Sequence, residues 1–301
     1  MRSLPLGLTA LLALAAPLAA QTAGGHDAHA GHAMPAPASA ATLVLTAADS
    51  TLPASAGEAE ARLAKSPRHA EWAMVATGNG DSTRAWVVYP ERRDKAPVVV
   101  VVHEIFGLSP WVRAVADQLA ADGFIAVAPD LLTRFDVPGS PTNPNADTAR
   151  AVIRNVTPAD MNRQVEAVAK WAMALPAALP KYGIVGFCWG GSASFNHAVL
   201  SPTGLGASVV YYGSSPAASE LASVKVPVLG LYGANDARVT ATIPAADSAM
   251  KANGKSYEHH EYENATHGFL RQQDGANGAN MAATRAAWPA TIAWFRKHLG
   301  A

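Results

Sequence analysis

Four residues of this chain have the types and the order needed for covalent chemistry: Cys188, Asp236, His267 and Glu104. Cys188 is the one cysteine among 301 residues and sits at the centre of Gly186-Phe187-Cys188-Trp189-Gly190-Gly191. A thiol attacks well only as its thiolate, so it needs a base, and the base needs an orienting acceptor. The chain supplies nucleophile, acid and histidine in the order Cys188, Asp236, His267. The glycines have a physical role. A residue at the tip of a sharp turn takes a strained backbone conformation, and small flanking residues let the chain segments around it pass closely.

These positions require a particular scaffold. An apolar run, residues 182–185, precedes Cys188 and reads as a buried strand; residues 192–200 follow and read as a helix. That places the thiol at a strand–turn–helix junction, where free N–H groups and a helix dipole favour negative charge. Residues 98–102 are five consecutive valines, as expected of a central parallel strand. They lead into His103-Glu104-Ile105-Phe106-Gly107. A hairpin is expected from residues 71–76 and 84–89 around Gly78-Asn79-Gly80-Asp81. Helices are expected over 57–65, 111–122, 158–175, 243–253 and 282–298, the last with Trp288, Trp294 and Phe295 inward. Further strands are expected over 124–130, 206–212, 226–232 and 256–262. Residues 133–147 read as a long polar loop. Alternation of strand and helix implies an α/β class with a mostly parallel central sheet and helices on both faces. Asp236, in Gly233-Ala234-Asn235-Asp236, and His267, in Thr266-His267-Gly268-Phe269, both follow strands, at the sheet edge where such folds bind ligands. Neither an internal repeat nor a second folded domain is evident.

Half the residues are apolar and the formal net charge is zero, which points away from nucleic acid or an anionic membrane surface as the main partner. Residues 1–20 combine Arg2, an apolar run broken by Pro5, Gly7 and Pro17, and small residues before Gln21. They read as a secretory signal peptide, giving a periplasmic or secreted mature protein without stable membrane insertion. Residues 21–41, rich in Ala, Gly, Pro and His, read as a flexible linker, and residues 42–70 as an N-terminal extension of the main domain, 71–301. His26, His29 and His32 recur every third residue in the linker. They allow a weak metal site, against a plain solvated tail.

The motifs Gly186-Phe187-Cys188-Trp189-Gly190-Gly191, His103-Glu104-Ile105-Phe106-Gly107, Pro129-Asp130-Leu131-Leu132-Thr133-Arg134 and His267-Gly268-Phe269 together resemble the dienelactone hydrolase (carboxymethylenebutenolidase-like) family of the α/β-hydrolase superfamily, from about Trp72 to the C-terminus. The resemblance implies an α/β-hydrolase fold and a catalytic triad with Cys188 as nucleophile, His267 as base and Asp236 as its orienter. It further implies that Glu104 restrains the resting thiol, that the amides of Ile105 and Trp189 form the oxyanion hole, and that Arg134 and Arg271 hold a substrate carboxylate. It implies no metal and no organic cofactor. The chain departs from the pattern in the length of the loop after Arg134, in the extension at residues 43–70 and in Gly268 after the histidine, all of which bear on the substrate. The expected activity is lactone or ester hydrolysis on a small carboxylate-bearing substrate of dienelactone type. The alternatives are a broader exported esterase without carboxylate preference and a periplasmic metal-binding protein using the His-rich tail. Oligomeric state is open.

Overall fold

The computed structural model describes residues 49–300; the expected signal peptide, the linker with its three histidines and the start of the extension lie outside the described residues. Eight strands and eight α-helices follow in chain order. They are α1 Ala59–Ala64, β1 Ala70–Gly78, β2 Asp81–Val88, β3 Ala96–Val102, α2 Pro110–Ala121, β4 Ile125–Pro129, α3 Ala146–Val152 and α4 Pro158–Met173. After them come β5 Ala178–Phe187, α5 Trp189–Leu200, β6 Leu205–Tyr211, β7 Val228–Gly233, α6 Ala237–Thr240, α7 Ile243–Ala252, β8 Tyr257–Tyr262 and α8 Ala279–Leu299. Among the described residues no helix is long and apolar enough to cross a membrane.

The strands form one sheet in the order β1-β2-β4-β3-β5-β6-β7-β8. β1 and β2 are an antiparallel hairpin, and β2 is antiparallel to β4; every other pairing is parallel. This is the α/β class expected. The valine strand β3 is buried along its whole length, as a strand covered on both faces must be. Its alternate side chains enter two cores. Val99 and Val101 pack with α2 and α8, whereas Val98, Val100 and Val102 pack with α4. Trp288, Trp294 and Phe295 of α8 are buried, as expected from their spacing. α3 lies within the stretch read as loop and following residues; its cap, Asn145 Oδ1 accepting from Thr148 N at 2.9 Å, is a local signal that its polar composition obscured.

Residues 49–69 are packed onto this body. Leu52, Ala54 and Ala59 are buried, Arg62 donates to the Leu52 carbonyl and to Gln118 on α2, and Arg68 pairs with Asp117. Ala56 N donates to the Arg271 carbonyl at 2.9 Å, and Gln273 Nε2 to the Pro53 carbonyl at 2.9 Å.

Candidate active site

Cys188 is the residue between β5 and α5, with φ 55° and ψ −114°. That positive φ in a side-chain-bearing residue is a strained conformation, held here because the surroundings leave no alternative. A Cβ on Gly190 would collide with the carbonyl oxygens of Val102 and His103 at the end of β3; one on Gly186 would collide with the Gly190 carbonyl. The helix start is thus pressed against the strand ends, and only glycine fits.

The Trp189 amide, in the first turn of α5, lies next to the thiol and draws its pKa down, as expected of a free helix-start N–H. Ile105 follows Glu104 in a turn closed by Gly107 N donating to the Glu104 carbonyl at 3.3 Å; its own amide has no acceptor among the described residues. The turn is anchored by His103, whose sequence motif did not reveal its role. Leu131 N donates to Nε2 at 3.3 Å, so Nδ1 carries the proton and donates to the Glu104 carbonyl at 2.7 Å. The ring is completely buried, and burial lowers its pKa, keeping it neutral.

His267 Nδ1 and Asp236 Oδ2 are 2.5 Å apart, bringing together the two residues expected to act as base and orienter. The carboxylate is buried while the ring is one-third exposed, which leaves Nε2 available to a ligand. Tyr212 packs edge-on against the imidazole, centroids 5.2 Å apart. It is buried, its hydroxyl has no partner among the described residues, and its φ is 40°. In the sequence it is only the last residue of the strand expected over 206–212. Its sole sequence signal is its place in Tyr211-Tyr212-Gly213 at a strand's C-terminal edge.

Glu104 is 3 % exposed. Burial pushes its carboxyl up to about 7, against the pull of Arg271, whose Nε lies 3.3 Å from Oε2. This is an ion pair without a well-formed hydrogen bond, since both atoms are buried and lack one. Burial, and next the Glu104 carboxylate, push the Cys188 thiol up to about 11, with Asp236 adding to the rise; the Trp189 amide and Arg238 oppose it. The resting thiol is therefore protonated at neutral pH.

The two arginines differ in placement. Arg271 stands between Glu104 and a cavity of about 450 Å³ bordered by Phe106, Ala56, Gly57 and Glu60. Arg134 instead pairs with Asp160 of α4 at 2.8 Å and donates to the Asn155 carbonyl; it does not line that cavity. A larger recess of about 1000 Å³, between α4 and the end of α5, contains none of the residues considered above. Among the described residues no group of three or more His, Cys, Asp or Glu side chains is placed to hold a metal ion.

An eight-stranded sheet of this order, with a strained cysteine-bearing turn after β5 and an Asp–His pair after β7 and β8, defines the α/β-hydrolase class. Residues 83–299 match the model of the dienelactone hydrolase family, and the chain belongs to that family. It is 30% identical over 236 residues to a Salmonella typhimurium protein with the provisional name carboxymethylenebutenolidase, covering 73% of this chain and 85% of that one. It is 27% identical over 216 residues to a human carboxymethylenebutenolidase homolog, covering 68% and 84%. A crystal structure provisionally assigned as a dienelactone hydrolase, from Klebsiella pneumoniae, superposes with a TM-score of 0.68 at 27% identity, covering 77% of this chain and 99% of that one. The protein is a hydrolase of ester or lactone bonds acting on small molecules.

Proposed function

We propose that the protein is a cysteine-nucleophile hydrolase that opens a lactone or ester in a small substrate carrying a carboxylate, of dienelactone type, after export from the cytoplasm. The observation that carries this reading is the lone thiol at a strained helix-start turn, beside a buried Glu104–Arg271 pair and the Asp236–His267 pair. Arg271 is the group that draws Glu104's pKa down. A substrate carboxylate competing for Arg271 would weaken that pull and make Glu104 a stronger base towards the thiol proton. The thiolate then attacks the acyl carbon, the carbonyl oxygen becomes an oxyanion facing the Trp189 and Ile105 amides, and the C–O bond breaks with the alkoxide taking the former thiol proton back from Glu104. Water, deprotonated by His267, attacks the thioester; the carboxylic product leaves and the thiol recovers its proton. Asp236 holds the imidazole in the Nδ1–H tautomer throughout, leaving Nε2 to exchange protons.

One observation favours a second reading, an esterase without carboxylate preference: Arg134, the other expected anchor, already has Asp160. Export rests on the sequence of residues 1–20 alone, and intact mass of the protein from its native compartment should begin near Gln21. The central test is Cys188→Ala. Turnover of lactones and aryl esters should fall by about a thousandfold or more, with the thermal midpoint retained. Retention of a tenth of wild-type turnover would remove Cys188 from the mechanism.

A further inference from the structure

The geometry points to a carboxylate-binding subsite built by Arg150 together with Arg271 over Phe106 and walled by residues 56–60, so that Arg150 and the N-terminal extension set substrate selectivity. This deepens the hydrolase reading and rests on it for the identity of the substrate.

The Cζ atoms of Arg271 and Arg150 lie 4.8 and 5.1 Å from the centroid of the Phe106 ring. Both arginines line the same cavity of about 450 Å³, with Gly57 and Glu60 on one side and Asn143 on the other. Two like charges gathered at one aromatic ring repel each other, and an anion placed between them relieves that repulsion. Neither guanidinium is fully satisfied by the protein: Arg271 has its ion pair with Glu104, Nε to Oε2 at 3.3 Å, without hydrogen-bond geometry. Arg271 makes no side-chain hydrogen bond among the described residues, and its buried Nε has no acceptor. Arg150 has only Asp147, at 3.5 Å, whose side chain is 90 % exposed, a pairing that solvent screens to little. Planar donor forks of this kind match a carboxylate.

The rest of the lining narrows the ligand. Glu60 is held by Asn143 Nδ2 at 3.4 Å, which closes the cavity between the extension and the loop before α3. Its negative charge and that of Glu104 beside Arg271 offset the two guanidiniums, so the cavity suits a ligand arm with a single carboxylate that takes Arg271 from Glu104, rather than a dianion. Ala56 N bonds the Arg271 carbonyl, so the extension also fixes the backbone that presents Arg271. The two features that depart from the family's sequence pattern, the long loop and the extension, therefore meet around one cavity.

The experiment uses the full chain and sorbate, a six-carbon monocarboxylate with no bond to hydrolyse, against sorbamide, its uncharged counterpart. Affinities are measured by calorimetry at low salt for wild type, Arg150→Ala, Arg150→Lys and Arg154→Ala, with thermal midpoints as the control for folding. Wild type should prefer sorbate. Arg150→Ala should weaken sorbate about tenfold, as expected for loss of a charged hydrogen bond. Arg150→Lys should restore part of the loss, and Arg154→Ala, which removes the same net charge nearby, should leave binding as it is. In turnover, Arg150→Ala should raise KM for an acidic lactone and leave that of its methyl ester in place. Equal sorbate affinity in wild type and Arg150→Ala, no sorbate preference in wild type, or the same loss from Arg154→Ala each overturns the subsite. Arg150-dependent sorbate binding without turnover of any lactone or ester supports the subsite and sinks the hydrolase reading alone. Turnover with sorbate binding indifferent to Arg150 does the reverse.

Discussion

The turn that carries Cys188 and the outer wall beyond Arg271 are built by opposite means. Around the turn, backbone meets backbone: Gly186, Gly190, Gly191 and Gly213 each sit where a Cβ would strike main-chain atoms of a neighbouring segment. The outer wall, residues 49–69 with the loop before α3, is instead attached largely through side chains reaching over distance, such as Trp111 Nε1 to the Ala54 carbonyl at 3.1 Å and Asn143 to Glu60, alongside a few main-chain bonds such as Ala56 to Arg271. Reactive geometry that must hold to a fraction of an ångström rests on the main chain, which no substitution removes. Selectivity rests on side-chain contacts that can be exchanged one at a time.

The largest effect expected from this contrast is at Gly190. Gly190→Ala should cost more than about 3 kcal/mol of unfolding free energy, because the new methyl overlaps two carbonyls with no room to shift. Urea denaturation measures it, and a loss within about 0.5 kcal/mol would mean the turn is less rigid than the packing implies.

An intermediate effect, opposite in sign, is expected at Glu104. Its folded pKa of about 7 lies above the ordinary carboxyl value of 4.5, so the folded state binds the proton more tightly. For such a group stability is greatest below the unfolded pKa and is lost as pH rises through the folded one, here between about 4.5 and 7. Glu104→Gln should therefore stabilise the protein at pH 8 by about 1–2 kcal/mol, with the gain vanishing near pH 4. Because Glu104 is a leading cause of the raised thiol pKa, the same variant should shift the iodoacetamide profile of Cys188 to lower pH. A gain over wild type no larger at pH 8 than at pH 4 would show that the buried carboxyl is ordinary.

At the wall, Asn143→Ala removes one exposed, long hydrogen bond and should change stability by less than about 0.5 kcal/mol. A loss above about 1 kcal/mol would place the wall in the same class as the turn and erase the distinction.

The same division explains what the sequence disclosed. The valine run of β3, the turn at Cys188 and the strand-end positions of Asp236 and His267 were legible because local pattern dictates them: period, glycine spacing and chain order. The pairing of Arg134 with Asp160 was not, because a short motif says where an arginine begins and nothing of which carboxylate, many residues on, it meets. Arg150 and Tyr212 went unread for the same reason. Each acquires meaning only from neighbours brought in by the fold, Phe106 for one and His267 for the other. The anchoring of residues 49–69 depends on partners on α2 and beyond β8, so composition could mark the segment only as an extension.

The bond from Gln273 to the Pro53 carbonyl also has a bearing on how the molecule assembles. It joins residues 220 apart in sequence, and the Ala56–Arg271 bond spans nearly as much. Loop closure over such a span is rewarded only after the intervening sheet has formed. The first part of the described chain to be synthesised is thus among the last to find its place, and the cavity beside Arg271 is finished when the C-terminal strand and its following turn are in position. A chain truncated after β7 could form the valine strand and the bend at Cys188, yet would have nothing on which residues 53–56 could close.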